Sequence, residues 1–480
     1  MDISEFIDSE YTQTVSLLQD FFQGNAVLSF SDIKRLHPEM TNYAIKTNLA
    51  NINNIPVYKR EEVYCEFIKD GAYVHIPEHV SYQLIVSSLL ADSNKFQIVL
   101  LFLKHNQVTP NRIMQELHLS RATYYRYLRQ INISLNSFGI SIKQFRLSGS
   151  MNDVISFYYQ LIWVSQVDDL FRLTDTACVS AINKLISDWG IKANSDAQKR
   201  LALVVSICKT CNDLLEVPFN KTSKLIGHFL NRYYVSCEEF CRQINLSQEF
   251  VEIVLVAGLA FIQDPQSQLF FEWKRYCYGK RTWPYVMTRE AKKILFQSGG
   301  DASLLEVENF EEEIFFVHTC FYLNENVVMD LNGQNLFKSN DAIFGTHLVK
   351  DISLLTTDFL KKHDPGLSDE RLSSIIDAYA TVFFSTLPIG NMSVLIGIYS
   401  FFGALKMHYL VTYLSAYLPF KPQFIEVTPE DYEQAEIIIT DSPFQIKTQI
   451  PVIQLQMAGS KKDLTRITDA VGKVIIKRIF

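Results

Sequence analysis

The chain has 480 residues, of which 48% are hydrophobic and 20% charged, and a formal net charge of −7. This is the composition of a globular protein with large cores, long enough for roughly three to five domains, and it excludes a disordered or collagenous chain. The first five residues are acidic and lack the basic-then-apolar form of a secretion signal. Eight cysteines scattered through apolar segments suit a reducing, cytoplasmic setting.

In chain order, the pattern predicts a mainly α, multidomain protein. Residues 1–80 read as a first winged helix-turn-helix domain. An amphipathic helix over 10–23 places Val15, Leu18, Phe21 and Phe22 inward. Residues 30–36 and 41–50 follow as a helix pair with Thr41 as N-cap. Residues 63–68 and 73–76 flank Lys69-Asp-Gly-Ala72 as a hairpin, or wing. Lys34, Arg35, Lys46 and Asn48 are its candidate DNA contacts. Residues 1–100 carry seven basic and thirteen acidic residues, so a domain that merely packs on its neighbour is the alternative.

Residues 81–160 read as a second helix-turn-helix domain, with core helices over 84–103. Pro110 opens a short helix that faces Ile113 and Leu117 inward. Leu119-Ser120 is expected to make the turn, with Ser120 capping a second helix whose inner face is Tyr124, Leu128 and Ile131. The opposite face then presents Ala122, Tyr125, Arg126, Arg129 and Gln130, with Arg121 at its edge. Such groups on one exposed helical face are what base edges and phosphates require. Arg112 and Lys143 or Arg146 would lie on phosphates, the last two on a second wing over 140–147. Residues 101–150 carry seven basic residues against one acidic, Glu116, so the positive charge of an acidic chain gathers where the motif lies. An ordinary helical hairpin with a solvated basic face is the alternative.

Residues 161–282 and 283–390 are expected to form two helical bundles, broken near Asp188-Trp-Gly190, Glu216-Val-Pro218, Asp264-Pro265, Trp283-Pro284, Ser298-Gly-Gly300 and Asp364-Pro-Gly366. Cys208, Cys211, Cys237 and Cys241 have spacings a zinc site could use, but they sit in apolar helical runs and read as buried thiols. Residues 378–405 hold no charge, yet Leu387-Pro-Ile-Gly-Asn391 interrupts them, so a helix end, a turn and a strand are expected rather than a membrane span. From 391 to 480 the period changes. Strands over 394–399, 424–427, 436–440 and 452–457 alternate with helices over 404–418 and 461–479, the pattern of a small α/β domain with a parallel sheet.

No dinucleotide-binding, Walker A, zinc-protease or Gly-x-Ser-x-Gly motif occurs, so neither enzyme activity nor a cofactor is expected. Gly279-Lys280-Arg281-Thr282 lacks the upstream glycine of a phosphate loop. Asp168-Asp169 reads as a solvated helix start.

The doubled helix-turn-helix, two helical modules and final α/β domain, carried by residues 119–128 and, less distinctively, 28–50, resemble the Mga-type virulence or global regulators of Gram-positive bacteria. This group includes the anthrax toxin activator. The resemblance implies a DNA-binding transcriptional regulator. It implies that 161–282 and 283–390 are phosphotransferase-system regulation domains, whose histidines accept phosphoryl groups from phosphocarrier proteins of the sugar-uptake relay. His228 and His318 are candidates, with His347 and His363 weaker; Arg232, one turn from His228, would hold phosphoryl oxygens. It implies that 391–480 is similar to an enzyme-IIB module and supports a homodimer. Such a phosphocarrier needs a cysteine after its first strand, but residues 399–404 contain none and no cysteine follows Cys320. The expected partners are double-stranded DNA, phosphocarrier proteins and a second copy of the chain, with no membrane. An RNA-binding antiterminator and a phosphotransferase scaffold without nucleic-acid affinity are the alternatives.

Overall fold

The computed structural model describes residues 3–23, 26–55, 63–77, 80, 82–105, 107–165, 176–192, 195–212, 231–262, 264, 266–297, 307–323, 346–367, 369–386, 393–399, 410–412, 414–415, 418, 422–428, 431–440, 446, 448–455 and 461–479. The chain forms two compact units, Met1–Tyr276 with Cys320–Met329, and Cys277–Thr319 with Asp330–Phe480.

The first unit opens with a winged helix. Helix α1 (Ser9–Gln23) is followed by β1 (Val27–Ser29), α2 (Phe30–Leu36), α3 (Asn42–Asn51), β2 (Tyr64–Ile68) and β3 (Gly71–His75). The sheet order is β1-β3-β2, antiparallel throughout. Gly71 sits where this sheet is tightest: a Cβ there would lie 2.2 Å from the Leu28 carbonyl oxygen. Ser29 accepts a hydrogen bond from Asp32 N (3.0 Å) and Thr41 from Ala44 N (3.1 Å), so each helix starts at a side-chain cap.

A second winged helix follows, built from α4 (Tyr82–Asp92), α5 (Asn94–Lys104), α6 (Pro110–Glu116), α7 (Arg121–Asn136), β4 (Ser141–Lys143), β5 (Arg146–Ser148) and α8 (Met151–Ser165). Its wing is a two-residue hairpin in which Gln144 and Phe145 both take left-handed conformations (φ 49° and 63°), the geometry whose twist matches flanking strands. The Phe145 carbonyl accepts from Val108 N (3.2 Å), tying the wing to the entry of α6.

Residues 3–8 precede the first winged helix but pack in the core of the second. Phe6 is fully buried, its ring 5.6 Å from Phe157, which in turn lies 5.1 Å from Phe138. The Asp8 carboxylate accepts from Ser93 Oγ (3.0 Å), Asn94 N (3.1 Å), Asn94 Nδ2 (3.0 Å) and Lys95 N (3.3 Å). A carboxylate 85 positions away in sequence thus caps α5. Lys95 donates to the Glu5 carbonyl (2.7 Å), and desolvation holds its ammonium below the ordinary lysine range.

Helices α9 (Thr176–Asp188), α10 (Ser195–Cys211), α11 (Asn231–Gln243) and α12 (Val251–Val256) complete the described part of this unit's helical module. Gly190 (φ 63°) ends α9, and α12 runs on into a π-helical turn, Ala257–Phe261. α10 packs on both α8 and α5, so the helical module shares a core with the second winged helix. Cys208, Cys211, Cys237 and Cys241 are buried, and burial pushes the Cys211 and Cys241 thiols up to about 12. Among the described residues no three ligating side chains converge on a metal position.

Helix α13 (Gln268–Lys280) leads to the second unit, which holds α14 (Trp283–Gln297), α15 (Val307–Leu323, to Thr319), α16 (Thr346–His363) and α17 (Asp369–Thr386). The break expected near Trp283-Pro284 falls between Lys280 and Trp283, and Pro284 sits in the first turn of α14, where proline's missing N–H costs nothing. A parallel four-stranded sheet follows: β6 (Leu395–Tyr399), β7 (Gln423–Glu426), β8 (Ile437–Thr440) and β9 (Val452–Gln454), in order β7-β6-β8-β9. Of the expected strand over 452–457, β9 covers Val452–Gln454, and residues 456 and 457 lie outside the described residues. The closing helix, α18 (Lys461–Ile479), packs on α16, with Ile467, Val471 and Ile475 buried. Residues 387–392, the expected break in the uncharged stretch, and most of 404–418 lie outside the described residues. Among those described, no single helix is long and apolar enough to cross a membrane; α4 and α5 come nearest as a pair, but they are bent by 70° and α5 is largely buried.

Candidate nucleic-acid interface

Helix α7 is positioned by three local devices. Thr109 caps α6 by accepting from Arg112 N (3.4 Å), and Pro110 starts it. The turn out of α6 is made by Leu117 and His118 rather than by Leu119-Ser120. His118 takes a left-handed conformation (φ 50°), Leu117 N donates to the Ile113 carbonyl (3.0 Å), and Leu119 N to that of Met114 (2.9 Å). Ser120 then caps α7, accepting from Thr123 N (3.1 Å).

The inner face of α7 is Tyr124, Tyr127, Ile131 and Leu135. Leu128, expected inside, is only half-buried, because the helix rolls Tyr127 inward instead. Desolvation raises the Tyr124 hydroxyl to about 12. Arg121, Ala122, Tyr125, Arg126 and Arg129 face outward, with Tyr125 43% exposed. Arg121 lies over the Tyr125 ring (5.9 Å) and Arg126 over that of Tyr127 (5.3 Å), contacts that hold both guanidiniums near the helix surface. Gln130 departs from the expected outward face: it is half-buried, with its Oε1 closed off from water. Helix α7 carries no acidic residue. Among the described residues Arg121, Arg126, Arg129 and Lys143 form no ion pair.

The flanking cations are less available. Arg112 donates to Glu116 (2.7 Å) and lies 3.0 Å from His105 Nε2, so a phosphate would compete with a carboxylate. Lys143 and Arg146 face each other beside the turn at the tip of the wing, and Arg146 donates to Gln107 (3.3 Å).

The corresponding face of the first winged helix is weaker. Thr41 occupies the capping place of Ser120, and the exposed residues beyond it are Asn42, Tyr43, Lys46 and Thr47. Lys46 lies over the Phe30 ring (5.3 Å), and Arg35 pairs with Asp32 (3.1 Å). Lys34 and Asn48 need correction as DNA contacts. The Lys34 ammonium donates to the carbonyls of Pro38 (2.8 Å) and Met40, fastening the turn between α2 and α3. Asn48 is 8% exposed and faces α1: it donates to Gln13 Oε1 (2.9 Å) and the Ala44 carbonyl (2.8 Å), and accepts from Thr14 Oγ1 (3.1 Å). Sequence reasoning missed Tyr43, 80% exposed at the start of α3. The Thr41 cap fixes the helix phase and would have placed it outward.

Of the expected phosphoryl acceptors, His228 lies outside the described residues, as does the side chain of His347. His363 is exposed at the end of α16, its ring 4.9 Å from Phe359. His318 is wholly buried in α15. Thr288 donates to the Pro284 carbonyl (2.7 Å), so its oxygen accepts from His318 Nδ1 (2.7 Å), and Tyr379 donates to Nε2 (2.5 Å). Both ring nitrogens are used, and burial lowers the imidazolium pKa to about 3. A neutral ring with no free lone pair and no route to solvent is a core histidine, not a phosphoryl acceptor.

Residues 78–162, running from just before α4 to within α8, match the family model of the Mga helix-turn-helix domain. The match covers the helix whose outward arginines are described above, and it supports DNA-binding transcriptional regulation of the Mga type. No curated protein matches the chain.

Proposed function

We propose that the chain is a transcriptional regulator that lays α7 in the major groove of double-stranded DNA. The observation that carries this is the helix itself: three outward arginines, an outward tyrosine and no carboxylate, presented at the N-terminal end of a capped helix. Lys143 and Arg146, on a wing too short to read bases, suit phosphates beside the groove. The first winged helix contributes Lys46, Arg35 and Tyr43 as secondary contacts. Binding of duplex DNA with protected positions in a footprint tests the reading. Equal or tighter binding of hairpin RNA overturns it in favour of an antiterminator.

Regulation by phosphoryl transfer from the sugar-uptake relay is the second part of the proposal. Among the described candidates, His363 meets the need for an exposed imidazole with basic neighbours, Lys361 and Lys362. Its place at a helix C-terminus works against a dianion, so those lysines would have to offset the helix dipole. Labelled phosphate that reaches the chain but survives His363→Ala unchanged removes this assignment. The third part is a homodimer through 391–480. The sheet order suits a two-layer α/β domain of the enzyme-IIB kind, and the lack of a cysteine after β6 leaves that surface for partner binding. The apolar face of α18 is already covered within the chain, so the contact would use other surfaces. A chain shortened to residues 1–390 that still sediments as a dimer rules this out.

A further inference from the structure

Cys178 stands in the first turn of α9 and Lys209 in the last turn of α10, and the Lys209 amino group donates to the Cys178 sulfur across 2.9 Å. Sulfur is larger than oxygen, so this approach is close for a nitrogen donor. Among the described residues Lys209 has no other hydrogen-bond partner and forms no ion pair. Both side chains line a half-open cavity of about 390 Å³, whose other described lining residues are Ala177, Asn212 and residues 243–246. That is roughly a dozen water molecules' share of liquid volume. The cavity has a polar character: Asn212 Oδ1 is shut off from bulk water and has no partner among the described residues, and Gln243 and Asn245 add further amides. Asn245 is fixed there by its left-handed backbone (φ 54°) at the end of α11. Among the described residues, Cys208, Cys211, Cys237 and Cys241 accept no hydrogen bond from a lysine.

We propose that Cys178 and Lys209 are a modification site, joined covalently when hydrogen peroxide enters this cavity. The cysteine sulfur attacks one peroxide oxygen. The S–O bond forms, the O–O bond breaks, and the other oxygen leaves as water after taking up the thiol proton, giving a sulfenic acid. Lys209 releases one ammonium proton to water, and its nitrogen then attacks that sulfur. The S–N bond forms, and the hydroxyl departs as water with a proton from nitrogen. The net change is loss of two hydrogens from the protein and reduction of one peroxide to two waters. A second hydrogen peroxide adds one oxygen: its O–O bond and the S–N bond break, an S–O and an O–N bond form, and the remaining oxygen leaves with both hydrogens as a third water. The amine is already seated on the sulfur, so the capture is intramolecular and competes well with further oxidation. The bond clamps the start of α9 to the end of α10, the helix that packs on α5 and α8 of the second winged helix. The proposal does not rest on DNA binding.

The test is peptide mapping of the full-length chain by mass spectrometry after treatment with hydrogen peroxide. The expected result is a linked pair of peptides, one containing Cys178 and one Lys209. Their summed mass falls by two hydrogens, with or without one added oxygen, and a thiol reductant releases them. Because the measurement is made on the unmutated protein, it does not depend on any variant folding. Cys178→Ser and Lys209→Arg should each remove the linked species, and the second should leave Cys178 as a sulfenic or sulfinic acid. Oxidation of Cys178 in the unmutated chain with the Lys209 peptide free overturns the proposal. So does a Cys178 that stays reduced while other cysteines of the chain oxidise.

Discussion

Replacing Arg126 and Arg129 by alanine tests the interface where it is most specific. Both are exposed, and alanine is the best helix former, so α7 should persist and the melting temperature should move little. Four cations around the motif, Arg121, Arg126, Arg129 and Lys143, have no carboxylate partner among the described residues. If each neutralises one phosphate, log K falls with log salt at a slope of about −3.6 for one domain on duplex DNA, and about −1.8 once two are removed. Between about 50 and 200 mM salt the parent chain then loses about 150-fold in affinity and the double variant about 12-fold. At fixed salt, each arginine that also reads a base edge is worth about 1–3 kcal/mol. Fluorescence anisotropy of a labelled duplex, titrated at several salt concentrations, measures both quantities. A double variant with the parent's slope and affinity, and an unchanged circular dichroism spectrum, refutes the assignment of α7 to DNA.

Three further outcomes follow from the same geometry. Asn48→Ala should cost about 1–3 kcal/mol of stability in chemical denaturation, by stranding partners on α1, while the DNA salt slope stays put; a changed slope with unchanged stability would return Asn48 to the interface. Asp8→Ala should lower stability by about 2 kcal/mol, since it removes the cap of α5, while Ser93 keeps the Phe6 carbonyl as its acceptor (2.6 Å); unaltered unfolding would show that α5 needs no such cap. His318 is held neutral when folded but takes up a proton near pH 6.5 when unfolded, so its stabilising contribution is complete above about pH 6.5 and fades as pH falls toward 3. Going from pH 7 to 5 should therefore cost the parent about 2 kcal/mol more than His318→Gln; equal losses in both proteins would contradict the buried, neutral ring.

What could be read from the sequence was what local chemistry decides. Thr41 and Ser120 cap their helices and Pro110 begins α6, as the residues suggest, whereas the caps at Ser29 and Thr109 were missed. Alternation over 140–147 anticipates the wing, and the change of period after 391 anticipates the parallel sheet. The errors arose where a distant partner decides the outcome. Asn48 looks like a base-reading residue until Gln13 and Thr14 arrive from α1. Lys34 looks available until the carbonyls of Pro38 and Met40 fold back onto it. His318 reads as an acceptor because its neighbours on one strand of text are acidic, whereas its neighbours in space are Thr288, Trp283 and Tyr379. A period of 3.6 also leaves a borderline position such as Leu128 or Gln130 unassigned until the roll of the helix is fixed by packing.

The placement of Phe6 and Asp8 bears on how the protein is handled and how it matures. A fragment cut at residues 78–162 leaves behind the ring that meets Phe157 and the anion that begins α5. Such a fragment should be a frayed version of the domain, and weak DNA binding by it would say little about the whole chain. During synthesis the opening residues must wait, exposed, until nearly ninety more have left the ribosome before they find their seat.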